Sequence, residues 1–121
     1  MDLEETQYGS RKDGSRHDAF KQISEFVEYN KKRETGIITM DVEGGFDRVD
    51  IDILSDIMMY RGAEPAMVKW VRRWASNRST VLKFNGRVSK TYYLNKGVPQ
   101  GSPLSPYLFG VYVSDVFRPR F

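Results

Sequence analysis

The sequence predicts an α+β fold, and three observations carry that prediction. Apolar side chains recur at helical spacing over residues 15–33, 50–62 and 65–75. β-Branched residues cluster over 36–43, and Asn85-Gly86 lies between two strand-like runs. Together they give a short antiparallel sheet with about four helices packed on one side. At 121 residues the chain is one domain or less and buries a moderate core.

Taken in order, Met1 to Gly14 is polar and turn-rich, and its start is expected to be poorly ordered. Ser15-Arg16-His17-Asp18 reads as a capping box, with the Ser oxygen on a free N–H and the acid three residues on. The helix that follows puts Ala19, Ile23 and Val27 on one face, with Phe20 and Phe26 beside them. Lys31-Lys32-Arg33 falls in its last turn, where the helix dipole favours cations. His17 is the one histidine and reads as a solvated first-turn residue, so no Ser/His or Cys/His arrangement has a spare candidate. Gly36 to Glu43 is β-branched at Ile37, Ile38, Thr39 and Val42 and alternates little, which predicts a central strand buried on both faces.

Asp50 is the next N-cap, before a stripe of Ile53, Leu54, Ile57 and Met58 that ends at Gly62. Pro65 opens a further helix with Met67, Val71 and Trp74 toward the core. Lys69, Arg72 and Arg73 lie on its other side, where the arginines can face a phosphate backbone. Thr80 to Phe84 and Val88 to Leu94 form a hairpin about Asn85-Gly86, both of which take positive φ in such a turn. Its basic residues Lys83, Arg87 and Lys90 sit beside Phe84, Tyr92 and Tyr93. That mixture suits a nucleic-acid strand and a half-buried amphipathic hairpin equally. Gly97-Val98-Pro99-Gln100-Gly101-Ser102-Pro103-Leu104-Ser105-Pro106 then reads as a constrained loop, with Ser105 as N-cap and Pro106 as first residue of a helix through Tyr107 to Val113. Such a loop is either a structural turn or a place where backbone N–H groups lie open to a phosphate or a base.

The net charge of +3 hides an asymmetry: residues 1–60 carry 8 Lys/Arg against 14 Asp/Glu, and residues 61–96 carry 9 against 1. A basic block suits a polyanion, and an acidic block a metal. Cysteine is absent, which excludes a disulfide framework and a Cys-based zinc site. The longest apolar stretch, Tyr107 to Val113, is too short to span a bilayer, and the acidic Met1-Asp2-Leu3-Glu4-Glu5 is unlike a signal peptide. A soluble intracellular protein with no membrane partner is the expectation.

GVPQGSPLSP over Gly97–Pro106 resembles the motif that reverse transcriptases carry between the nucleotide-binding palm and the template track, most of all in non-LTR (LINE-type) retrotransposons and group II intron relatives. The same family places upstream a strand ending in Asp with an aromatic five residues later. Ile37-Ile38-Thr39-Met40-Asp41-Val42-Glu43-Gly44-Gly45-Phe46-Asp47-Arg48-Val49 is similar to it. Gln7-Tyr8-Gly9-Ser10-Arg11-Lys12 resembles a third family segment, with Ser10 in place of Phe and Asp13-Gly14 in place of Gly-Arg, which removes an aromatic anchor and a positive charge. The resemblance runs from about Gln7 to Asp115 and covers the middle of a polymerase core.

The resemblance implies part of the fingers and palm of an RNA-directed DNA polymerase, with RNA template, DNA primer and deoxynucleoside triphosphates as partners. Asp41 would be the catalytic residue that binds both Mg²⁺ ions, in a position where the end of a buried strand holds it rigidly. Gly44 and Gly45 would receive the triphosphate. Gly45, where most relatives have Ala, would loosen the turn. Phe46 would lie under the sugar and leave no room for a 2′-hydroxyl, and Asp47 is not a metal ligand by this alignment. Gln100 and Gly101, backed by Ser102 and Pro103, would approach the base, the sugar and the paired template. Apart from the resemblance, Arg72, Arg73 and Lys83 are read from their charge and placement as contacts to nucleic acid. The family's other two metal carboxylates come from an aromatic-Ala-Asp-Asp hairpin, and this sequence stops at Arg118-Pro119-Arg120-Phe121 without one. The expectations are a truncated domain inactive alone, a sheet edge left uncovered, and marginal stability or self-association. The alternative is a non-catalytic RNA- or DNA-binding remnant, or a pseudogene product.

Overall fold

Asp50 fixes the entry to the central helix: its carboxylate accepts the N–H groups of Asp52 and Ile53 at 3.0 and 3.2 Å. In the computed structural model, which describes residues 5–117, α2 then runs over Ile51–Tyr60. It lies between α3 (Pro65–Ala75), with Pro65 in the first turn as expected, and α4 (Leu104–Val113). Ile51, Leu54 and Met58 recur on one face of α2. They meet Val68, Val71 and Ala75 of α3 and Leu108 and Val111 of α4, and Val49 and Val98 complete the core. Each Val, Leu, Ile or Met side chain buried there stabilises by about 1.5–3 kcal/mol. Leu54, Met58 and Val71 are buried as expected, whereas Ile53 and Met67, expected inside, are about half exposed and Ile51 and Val68 are buried instead. The stripe is therefore real but rotated, because a helix placed between two others buries the arc those neighbours set.

The other elements are lighter. α1 (Arg16–Tyr29) begins with the predicted capping box: the Ser15 N–H donates to Asp18 Oδ2 at 2.9 Å and the Asp18 N–H to Ser15 Oγ at 3.4 Å. It buries no residue. Its end differs from expectation. The Asn30 side chain turns back to donate to the Phe26 carbonyl at 2.8 Å, so the helix stops at Tyr29 and Lys31-Lys32-Arg33 lies beyond its last turn. Ile23, Phe26 and Val27 instead line an open groove with Thr35, Gly36, Ile37 and Ile38.

The hairpin forms in two pieces. β1 (Arg78–Thr80) pairs antiparallel with β4 (Tyr92–Leu94), and β2 (Lys83–Phe84) with β3 (Arg87–Val88), across Asn85 and Gly86 at φ +48° and +73°. Between the pairs Thr80/Tyr92 and Lys83/Val88 the returning strand holds one residue more than the outgoing one, which makes a bulge. The Ser89 hydroxyl sits in the gap, accepting from the Leu82 N–H at 2.9 Å and donating to the Lys90 carbonyl at 2.7 Å.

The largest departure is Gly36 to Glu43, which pairs with none of the described strands. Ile38 and Met40 are 88% and 91% exposed. A strand buried on both faces needs neighbours on both sides, and the described residues supply neither. The helix after the Pro-rich loop also begins earlier than predicted, at Leu104. Ser102 Oγ accepts the Leu104 N–H at 3.3 Å, and Ser105, read as the N-cap, is inside the helix and fully buried. Its hydroxyl donates to the Pro99 carbonyl. Among the described residues no helix is long and apolar enough to cross a membrane. The expected poor order of the first residues falls mostly on Met1–Glu4, outside the described range.

Candidate functional site

Two segments far apart in the chain are fastened together by backbone. The Gly97 N–H donates to the Val49 carbonyl and the Val98 N–H to the Phe46 carbonyl, each at 2.8 Å. Phe46–Arg48 forms a single 3₁₀ turn in which the Asp47 and Arg48 N–H groups donate to the Gly44 carbonyl at 3.0 and 3.1 Å. Gly97 takes φ +86°, and a Cβ there would stand 2.8 Å from Asp47 Cα and Phe46 O, so only a glycine lets the strands of backbone meet. Arg78 secures the other side of the loop. Its guanidinium donates to the carbonyls of Ala75, Lys96 and Gly97 at 2.9, 3.0 and 2.7 Å, tying it to the end of α3.

Beside this junction opens a cavity of about 770 Å³, lined by Asp41, Gly44, Gly45, Phe46 and Gln100 together with apolar side chains. The Phe109 ring, from α4, meets Phe46 edge-on with centroids 5.1 Å apart. It fills the space over Gly45, where a Cβ would lie 2.8 Å from Phe109 Cζ. Gly45 has ordinary helical φ and ψ of −52° and −46°, and its missing methyl accommodates an aromatic ring. Gln100 Nε2 donates to Asp47 Oδ1 at 3.3 Å.

Five of the predicted residues, Asp41, Gly44, Gly45, Phe46 and Gln100, thus share one cavity. The others lie elsewhere. Gly101 is exposed at φ +86°, the Ser102 hydroxyl caps α4, and Pro103 stands at that helix start. Arg72 forms an ion pair with Asp52 across α2 and α3, while Arg73 is on α3 and Lys83 on β2; none of the three lines the cavity. Among the described residues Asp41 is the one carboxylate in the lining, and no group of three or more His, Cys, Asp or Glu side chains could hold a metal. Magnesium demands six oxygen ligands in near-octahedral array, and one carboxylate beside a carboxamide supplies too few of them, so the described residues by themselves do not fit it. Sequence reasoning missed Phe109, Gly97, Arg78 and the contact of Asp47 with Gln100. The apolar run after Pro106 signalled a helix without showing which residue would turn toward Phe46.

Among the described residues the cavity joins one anion, one carboxamide and two aromatic rings within an otherwise apolar lining, a combination suited to a ligand with a planar or sugar-like body and polar edges. Residues 1–120 match the family model described as reverse transcriptase (RNA-dependent DNA polymerase). The chain is 26% identical over 86 residues to the retrovirus-related Pol polyprotein from type-1 retrotransposable element R2 of Popillia japonica. It is 30% identical over 86 residues to that from type-2 retrotransposable element R2DM of Drosophila melanogaster. Each alignment covers 71% of this chain but only 14% and 8% of the two polyproteins. No solved structure matches it.

Proposed function

This chain belongs to the reverse transcriptase (RNA-dependent DNA polymerase) family, and from that premise we propose that its cavity receives a deoxynucleoside triphosphate and that the chain is one partial domain of an RNA-directed DNA polymerase of a non-LTR element. The observation that carries the reading is the meeting of Asp41, Gly44–Phe46 and Gln100 in one cavity, although α2, α3 and the hairpin separate them in sequence. In this reading the Phe46 ring packs against the sugar and crowds a 2′-hydroxyl, the Gly44-Gly45 turn leaves room for phosphates, and the Gln100 carboxamide hydrogen-bonds the sugar or base. RNA template and DNA primer are the partners of the complete enzyme. Primer extension by the isolated chain is not expected, because among the described residues a single carboxylate lines the site.

The test is nuclear magnetic resonance of the labelled chain titrated with deoxynucleoside and ribonucleoside triphosphates. We expect shifts confined to Asp41–Asp47, Gln100 and Phe109, tighter binding of the deoxy form, and loss of that preference in Phe46→Ala. Absence of any localised shift at millimolar nucleotide refutes the reading.

A second reading, a non-catalytic RNA or DNA binder, draws on α3. Trp70 stacks on Trp74 with centroids 5.9 Å apart and is half exposed, on the same helix as Lys69 and Arg73. Salt-dependent binding that survives Asp41→Asn and falls when Arg72, Arg73 and Lys83 are replaced favours it.

A further inference from the structure

Asp47 immediately follows the Phe46 that lines the cavity, yet it does not line the cavity itself. Its carboxylate accepts from Gln100 Nε2 at 3.3 Å. The distance alone is unremarkable for two exposed side chains; what matters is how little freedom their backbones have. The Val98 N–H is bonded to the Phe46 carbonyl and the Gly97 N–H to the Val49 carbonyl, both at 2.8 Å, on either side of Asp47. Gly97 has no Cβ, and the space one would take is closed off by Asp47 Cα and its carbonyl oxygen at 2.8 and 2.9 Å. Arg78 holds the Lys96 and Gly97 carbonyls from behind. Asp47 and the approach to Gln100 are thereby set in register before either side chain turns.

We propose that Asp47 is a positioning residue that fixes which end of the Gln100 carboxamide faces the cavity. An ionised carboxylate has only acceptors, so it takes the amide nitrogen and never the oxygen. That leaves Gln100 Oε1 free to accept a hydrogen bond from a hydroxyl or amino group of the ligand. Without Asp47 the amide can turn over, and its two ends compete for the same place. The inference deepens the nucleotide-binding reading and rests on it for the identity of the ligand, but the orientation of the amide is a property of the free chain.

Two measurements separate them. In the free chain, ¹⁵N spectra should show one Gln100 Nε2 proton shifted away from the value of a solvated amide and exchanging slowly. Both features should be lost in Asp47→Ala and survive in Asp47→Asn, whose side-chain oxygen still accepts. Thermal melts of each variant confirm folding, and Asp47 is exposed, so both should fold. Titration with deoxynucleoside triphosphate should then show Asp47→Ala weakening binding about 3- to 10-fold. Asp47→Asn should weaken it less, and Asp47→Ala should add nothing in a Gln100→Ala background. A Gln100 amide with the shifts and exchange of a solvated amide in the wild type, or one held in the same way in Asp47→Ala, overturns the proposal. So does full additivity of the two alanine substitutions. Failure of every variant and of the wild type to bind nucleotide overturns the nucleotide reading instead, while the amide spectra still decide the role of Asp47.

Discussion

Gly97→Ala tests the junction that builds the cavity. At φ +86° an L-residue occupies the left-handed region at a cost of about 1–2 kcal/mol. The added methyl would stand 2.8 Å from Asp47 Cα and from Phe46 O and 2.9 Å from Asp47 O, all backbone atoms that cannot swing aside. The two segments must part, which weakens two hydrogen bonds of about 1 kcal/mol each. The sum is about 3–4 kcal/mol, a large share of the roughly 5–15 kcal/mol that holds a domain folded. For a chain of this size each kcal/mol lowers Tm by about 3–5 °C, so a fall of about 10–20 °C is expected. Circular dichroism melts with matched urea titrations measure it. A Tm within about 3 °C of the parent, with the Gly97 and Val98 amides still protected from exchange, would refute the reasoning.

Other substitutions follow from neighbouring features. Gly45→Ala meets only the far edge of the Phe109 ring, which can rotate away, so it should cost well under half of the Gly97→Ala loss in the same melt, with the aromatic shifts of Phe46 and Phe109 displaced. Asp18 lies below its ordinary carboxylate value, first because the Ser15 hydroxyl and then because the Ser15 N–H hydrogen-bonds its charged form. Its support for α1 is therefore complete above the unfolded value and lost as pH falls through the folded one; helicity of α1 should drop in acid, and Ser15→Ala, which keeps the backbone N–H, should shrink that step, read by amide shifts of residues 16–29. Removing the exposed Arg72–Asp52 pair by Asp52→Ala should change stability by under about 1 kcal/mol in denaturant titration. The exposed Ile37, Ile38, Met40 and Val42 should cause concentration-dependent association, and a single monomeric species across the range in analytical ultracentrifugation would count against it.

Sequence and structure agree best where the signal is local. The Asp50 and Ser15 caps, Pro65 in the first turn of α3 and the Asn85-Gly86 turn each depend on a handful of adjacent residues, and each stands where periodicity and turn chemistry put it. Gly36–Glu43 shows the opposite case. Its β-branched composition suits a strand, but a strand exists only with a partner, and partner choice is not written in the segment itself. Ser105 illustrates a third: Ser-Pro has the form of a helix start, yet a tertiary bond to Pro99 claims the hydroxyl and leaves the capping to Ser102. In the site, the two motifs identified the five residues around the cavity, while the aromatic ring that closes it came from a helix face that three-dimensional packing alone selects.

The bonds from Gly97 and Val98 to Val49 and Phe46 should also order events in time. Everything between them, α2, α3 and the bulged hairpin, is built largely from contacts between sequence neighbours, which form quickly. The junction closes the loop that contains them all, and its entropy falls due only at the end. Cavity formation should then be the last step of folding and the first to reverse. Gly97→Ala should leave the refolding limb of a chevron nearly unmoved and raise the unfolding rate, and amides on both sides of the junction should exchange through openings that leave the helices intact.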